Sequence, residues 1–453
     1  MVCRVSRATP RAAPQARPSE GSPGQRPGGT ARPVAAPILA AVLLVLAAVV
    51  SFDVLAITGG GPGSAGGGPE GPGNGGPDRP GNGGNGGGPG PIGGGRTPNP
   101  SVVVVPPPEE QSEIRGTLLF TRTGNIWAAT GRGLTQLSDR GVDSAPDFAP
   151  DGSLIYFLET RTKEARVSCG RFEPGCQDRL SQYTFEYPVL MRMDAAGSDR
   201  TEVKDSLFSD TSFQPSGGEW FSWLLQPDIS PDGDSVAISS DGEEASGELV
   251  LSLLSTDGGP IETVDAVESS GLGHSDPAWS PDGTRIAFTY NARSGSAGAP
   301  RIGVYTIADQ SLRLLRGNGY ANPSWSPDGT RIAAERTSSR GRDLVIVDAE
   351  RGGEVARLTN DGRSFAPAYS PDGTQLAYLH LEGQGVDLRV MTIESTATGV
   401  DLLEDKAITE DGSLDASSPP TWWMPADLIP EPTPTPVPSS GAPPSLPGES
   451  EAP

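Results

Sequence analysis

One short phrase returns along the chain at a nearly constant interval, and a fixed period of this kind rules out most architectures at once. The pattern Pro-x-aromatic-Ser-Pro-Asp-Gly reads PDFAPDG at Pro146, PDISPDG at Pro227, PAWSPDG at Pro277, PSWSPDG at Pro323 and PAYSPDG at Pro367, with a degenerate copy, PTWWMP, at Pro420. The intervals are 81, 50, 46, 44 and 53 residues. All but the first suit one four-stranded propeller blade per repeat. After each Asp-Gly comes an alternating strand, SLIYFL, SVAISS, RIAFTY, RIAAER or QLAYLH. A second strand with a turn follows, such as DLVIVDAERGG, and then a short closing strand such as VARLT. No run in 114–428 sustains a helical period, so the fold class is all-β.

The phrase has its own turn chemistry. Pro suits position i+1 of a type I turn, Asp at the next position bonds its own backbone, and Gly takes the left-handed conformation that completes a bulged hairpin. Asp151, Asp232, Asp282, Asp328 and Asp372 are therefore read as structural turn residues. Calcium needs six to eight oxygens converging on one point, which five separate hairpins cannot supply. The runs SDGEEASGE at Ser240 and NDGRS at Asn360 also miss calcium-loop spacing and are read as solvated loops. The aromatic ahead of Ser (Trp279, Trp325 or Tyr369) is expected to pack between neighbouring blades.

The repeated WSPDGTRIAF resembles the TolB-type repeat of WD-like β-propellers, over 116–426. The resemblance implies six blades, against five good motifs and one degenerate copy. The sixth can be completed from both ends, with PPTWW as its first strand and GTLLFTRTGNIWAATGRGLTQLS, 116–138, as the other three. Such a closure removes open sheet edges. By resemblance the expected role is binding or scaffolding of a protein or cell-envelope component, as a monomer, without catalysis, cofactor or metal. Similar propellers occur joined to α/β-hydrolase domains in prolyl-oligopeptidase-like peptidases. Those need a Gly-x-Ser-x-Gly elbow and a downstream His in a further large domain, and neither is present. His274 and His380 are read as blade residues. The alternative is an envelope hydrolase or glycan-processing enzyme using the channel mouth, because a propeller brings distant carboxylates together at its axis.

The flanks have different physics. Residues 1–33 carry six Arg and one acid, Glu20, and are read as a disordered cytoplasmic segment. Residues 34–57, VAAPILAAVLLVLAAVVSFDVLAI, hold one charge, Asp53. That length spans a hydrocarbon core of about 30 Å as a helix, and the Arg-rich side predicts an N-terminus in the cytoplasm. The expectation is a single-pass plasma-membrane protein with everything beyond Thr58 outside. A cleaved signal peptide competes, but the apolar run exceeds the usual h-region. Residues 58–113, rich in Gly and Pro, cannot bury enough apolar surface to order and form a tether with an r.m.s. reach of roughly 40 Å. Residues 429–453 are a Pro-rich, low-complexity tail. With Lys+Arg 34 against Asp+Glu 57, net −23, the propeller is too acidic to favour nucleic acid or an anionic membrane surface.

Cys3 falls on the cytoplasmic side of that scheme. Cys169 and Cys176, in SCGRFEPGCQD, are expected to form a disulfide on the oxidising side. They lie in the long first interval, where two segments break the repeat, 160–186 and 205–226. Both belong to the face opposite the Asp-Gly hairpins, and they bring Phe172, Tyr183, Phe185, Phe208, Phe213, Trp220, Phe221 and Trp223 to one sector. These aromatics make either a contact surface for protein, peptide or glycan or a cap packed upon itself. Asp143, Asp276, Asn322, Ser364 and Ser418, just ahead of the first strands, are expected to ring the channel mouth, where water, a cation or a peptide terminus could bind.

Overall fold

Short apolar runs such as IAF in RIAFTY bury both faces of the inner strands, with Ile286 turned to one neighbouring blade and Ala287 to the other, and short Gly-containing turns let successive strands pair antiparallel. The outcome in a computed structural model, which describes residues 5–7, 104–105, 114–168, 180–210, 218–264, 273–291, 299–396 and 399–429, is six four-stranded meanders. Blade 1 is Asp143–Phe148, Leu154–Ser168, Leu180–Asp194 and Thr201–Asp205; blade 2 is Leu224–Ile229, Ser235–Ser240, Val250–Ser255 and Glu262–Thr263. Blade 3 is Ser275–Trp279, Arg285–Tyr290, Arg301–Thr306 and Ser311–Leu314; blade 4 is Tyr320–Trp325, Arg331–Ser338, Gly341–Asp348 and Glu354–Arg357. Blade 5 is Ser364–Tyr369, Gln375–Glu382, Gly385–Ser395 and Val400–Ala407. Blade 6 joins the two ends of the propeller: Thr421–Trp423 pairs with Thr117–Leu119, and Asn125–Thr130 and Gly133–Gln136 complete it.

The first strands of neighbouring blades lie against one another all the way round, so they are innermost and line the axis. The core falls into six apolar clusters, one for each seam, including the seam between blades 5 and 6 and that between 6 and 1. Trp325 shows how the repeat fills a seam. Its ring is 6 % exposed, its indole N–H donates to Ala278 O of the blade before at 3.0 Å, and the Arg285 guanidinium sits 4.7 Å over it.

In the segment 160–186 the structure departs from the sequence reading. It is not a loop inserted after a short strand. The second and third strands of blade 1 take up its described residues, 160–168 and 180–186, paired without a break from Leu154↔Asp194 to Ser168↔Leu180, as an arm beyond the body of the blade. Within 205–226, Leu207–Asp210 and Gly218–Phe221 form a hairpin of their own that lies on the arm. Cys169, Cys176, Phe172 and Phe213, together with 34–57 and most of the tether and tail, lie outside the described residues. Two further short strands, Val5–Arg7 and Val104–Val105, pair with blade 1 and blade 6.

Candidate functional site

Each Asp-Gly carboxylate ties its own hairpin, and among the described residues Asp372 alone of the five also bonds a distant guanidinium, that of Arg115. Asp282 Oδ1 accepts Ser280 Oγ–H at 2.5 Å and Thr284 N–H at 3.1 Å, and Gly283 N–H closes the turn on Ser280 O at 2.9 Å. Asp232, Asp328 and Asp372 repeat the arrangement, while Asp151 takes the N–H and hydroxyl of Ser153. No cluster of three or more metal-ligating side chains occurs among the described residues.

The axis end of the first strands is built by a repeated bulge. Pairing slips at Ser144/Asp147, Leu225/Asp228, Ser275/Ala278, Ala321/Ser324 and Phe365/Ala368. The residue ahead of each Pro stands in the left-handed region: Ala145, Gln226, Asp276, Asn322 and Ala366, with φ from 47° to 54°. A bulge leaves an N–H without a ladder partner, and the preceding blade supplies one. Asp276 N–H donates to Gln226 Oε1 at 2.9 Å, Asn322 N–H to Thr289 Oγ1 at 2.9 Å, Ala366 N–H to Glu335 Oε1 at 3.1 Å and Ala145 N–H to Ser418 Oγ at 2.8 Å.

Of the five residues expected to ring the mouth, only Asp276 and Asn322 therefore occupy the bulge. Asp143 lies two residues too early in its strand. It is 1 % exposed and gripped by Arg200 through both oxygens at 2.7 and 2.9 Å, so it is a buried structural anion rather than a mouth residue. Ser364 and Ser418 are buried as well, Ser418 beside Thr121.

Four acids define the electrostatics around the axis. Asp147 and Asp228 follow the Pro of blades 1 and 2 and accept the N–H of Ile229 and Trp279 in the next blade, at 2.7 and 2.6 Å. Both keep a little surface yet are enclosed by neighbouring blades. Burial raises Asp147 well above the carboxylate range, helped by the charge of Asp228, and burial pushes Asp228 up to about 7. Burial also raises Asp276 and Glu335, although Thr289 bonds Asp276 at 2.6 Å and Asn322 bonds Glu335 at 3.0 Å.

The predicted aromatic cluster exists, turned inward. Tyr183 is 4 % and Trp220 8 % exposed, and they pack with Phe185, Tyr187 and Phe221 in the seam of blades 6 and 1, with Phe208 and Trp223 half-buried at its border. Alternation explains this. Ala165, Val167, Tyr183, Phe185 and Tyr187 face the 207–221 hairpin, while Thr162, Glu164, Arg166 and Gln182 face solvent. Gly218 allows the close fit, since a Cβ there would stand 2.7 Å from Arg166 O. The face offered outward by the arm is polar.

A broader asymmetry was missed in the sequence. Two residues join the second and third strands in blades 4, 5 and 6 (339–340, 383–384 and 123–124), against eleven, nine and ten in blades 1, 2 and 3 (169–179, 241–249 and 291–300). The short joints are locked by a second, unnoticed repeat. Gly141, Gly362 and Gly412, each in the segment leaving a blade, donate N–H to Asn125, Asp343 and Asp387 at 2.8, 2.8 and 2.9 Å. NDGRS is therefore a backbone lock, not merely a solvated loop. Its signal was a Gly in the segment leaving a blade, two residues before the next first strand at Gly141 and Gly362 but nine before it at Gly412, matched by Asn or Asp within the first three residues of a third strand. All the long connections lie on one half of the face opposite the Asp-Gly hairpins.

These features define a closed six-bladed β-propeller, elaborated on one half of one face. The propeller is TolB-like: residues 220–419 match the family described as TolB beta propeller domain. An uncharacterized protein of Agrobacterium fabrum is 28 % identical over 154 residues, 33 % of this chain, and the chain spans 40 % of the length of that curated relative. Among solved structures, TolB from Acinetobacter baumannii is 18 % identical, with a TM-score of 0.46 over 68 % of this chain and 67 % of that one. An oligogalacturonate lyase from Vibrio parahaemolyticus is 11 % identical, with a TM-score of 0.41 over 70 % and 83 %.

Proposed function

We propose that the chain is a non-catalytic, membrane-anchored propeller that binds or scaffolds a protein or cell-envelope component outside the cytoplasm, through the elaborated half-face over blades 1–3. The observation that carries this is the confinement of every long strand-two-to-three connection to that half, while the other half is closed by two-residue turns. Long loops on one end of a rigid scaffold are where recognition concentrates. The TolB beta propeller match supports a binding role, and the Arg-flanked apolar run supports the anchor. Reversing two outward charges of the arm, Glu164→Lys with Arg166→Glu, is expected to abolish co-purification of the partner from native membranes with the thermal midpoint unchanged. Undiminished co-purification sinks the arm as a contact.

One observation favours a second reading, an envelope hydrolase or glycan-processing enzyme working at the channel mouth. A buried acid near pH 7 beside another raised carboxyl is a pairing that acid–base enzymes use. Turnover of any glycan that vanishes in Asp228→Asn would establish this reading over the first.

A further inference from the structure

Among the described residues, no strand of the propeller itself pairs with the outer edge of the arm's second strand before Val189. Thr201–Asp205 pairs with Leu180–Asp194 only between Val189 and Arg192, so of the propeller's own strands only the arm's first strand borders the stretch from Leu180 to Pro188. Parity tells which backbone groups face the open side. Ser206 Oγ–H, just past the outer strand, donates to Pro188 O at 2.6 Å, so Pro188 turns its carbonyl to the edge. In an antiparallel ladder the N–H and C=O of one residue point the same way and alternate along the strand. Gln182 and Thr184 therefore also present theirs to the edge.

Natural edges are guarded by Lys, Pro, bulges or cover. Here Pro188 closes one end, but LSQYTFEY contains neither Pro nor Lys, and its pairing has no register shift. Its aromatic and hydroxyl side chains suit a strand. A strand also fits the edge: Val5–Arg7 of this chain lies antiparallel upon it, with Ser6 opposite Thr184, Val5 opposite Phe185 and Arg7 opposite Tyr183. The ladder is centred on Thr184, one of the residues that parity turns outward.

We propose that the edge around Thr184 is a strand-addition site, taking an extended antiparallel segment of a partner protein for which Val5–Arg7 stands in. This rests on the reading of the half-face as a protein-binding surface. In a chain anchored with its N-terminus in the cytoplasm, Val5–Arg7 lies across the membrane and the edge is left to the partner. Backbone hydrogen bonds supply the affinity. Residues of the segment opposite Tyr183 and Phe185 fall on the apolar side of the arm and those opposite Gln182 and Thr184 on its polar side, so an alternating segment is selected.

The test uses the intact chain carrying Val5→Pro and Arg7→Pro, so that its own segment cannot pair, titrated with a fluorescent synthetic peptide of residues 2–9. Saturable binding is expected, weakened roughly tenfold by Thr184→Pro, which removes the outward N–H, and changed less than about twofold by Thr184→Ala. The same peptide N-methylated at Ser6 should lose binding to the unaltered edge, which covers the case of a misfolded Pro variant. No saturable binding, Ala as damaging as Pro, or full binding by the methylated peptide overturns the proposal. Failure here with the Glu164 and Arg166 charge reversals still abolishing partner capture leaves the half-face reading standing; failure of both removes both.

Discussion

At Arg200 one guanidinium holds two buried carboxylates. It bonds Asp143 twice and Glu159 at 2.7 Å and stacks 4.5 Å over Phe157, while the side chains of Asp143 and Glu159 are 0 % and 6 % exposed. Removing it strands Asp143 away from water, while Glu159 keeps Arg161 at 2.7 Å and Arg140 at 3.0 Å. Arg200→Met is expected to cost about 3–5 kcal/mol by urea denaturation, and a loss within error of zero would show that the cluster is solvated. Asp228 makes a second prediction. Its folded value of about 7 stands above an unfolded value of about 3.9. Between them the folded chain holds a proton that the unfolded chain lacks. The stability this brings is complete below about pH 4 and lost as pH rises through about 7. Thermal midpoints should fall between pH 5.5 and pH 8, and the fall should shrink in Asp147→Asn/Asp228→Asn, where the amides still accept the Ile229 and Trp279 N–H. An unchanged slope in that double variant would place the titration elsewhere. The residue scale was half legible in the sequence. The Asp-Gly carboxylates could be assigned because their partners are two residues away. Asp143 could not, because its partner is Arg200 and nothing local announces the contact.

At the scale of elements, the glycine locks carry a sharp expectation. Gly341 stands at φ 120°, and a Cβ there would press on Gly362 O of the segment leaving the blade. Gly341→Ala should cost roughly 1–3 kcal/mol in chemical denaturation, whereas Gly353→Ala, with nothing within 4 Å, should be nearly silent. Equal effects would mean that the lock bears no strain. The strand pattern, the turn type and the joining of Thr421–Trp423 to Thr117–Leu119 were all legible, since each follows from period-two alternation and a repeated motif. The arm was hidden for a related reason. TRTKEARVS and LSQYTFEY each alternate, yet the neighbouring repeats taught a strand of about six residues, so the excess was read as insertion. The bulge ahead of Pro was invisible because a one-residue slip leaves no compositional mark, and that slip decides why Asp276 reaches the axis and Asp143 does not.

For the whole molecule, the six seam clusters and the two-ended blade 6 make a ring without a free outer seam, and the asymmetry of its connections marks out the half proposed for binding. Anchoring by 34–57 and pairing of Val5–Arg7 with the arm of the same chain exclude one another, since a helix across the bilayer puts them on opposite sides. Cys3 decides between them. In intact cells it should resist a membrane-impermeant thiol reagent if the N-terminus is cytoplasmic, and labelling before permeabilisation would place it on the propeller's side. The central claim concerns the half-face, and photo-crosslinking in native membranes tests it most directly. A photoreactive residue at Thr162, Glu164 or Gln182 on the arm should yield one discrete protein adduct, and the same residue at Asp151, Asp232 or Asp282 on the Asp-Gly face should yield none. Adducts from the Asp-Gly positions with none from the arm would contradict the account.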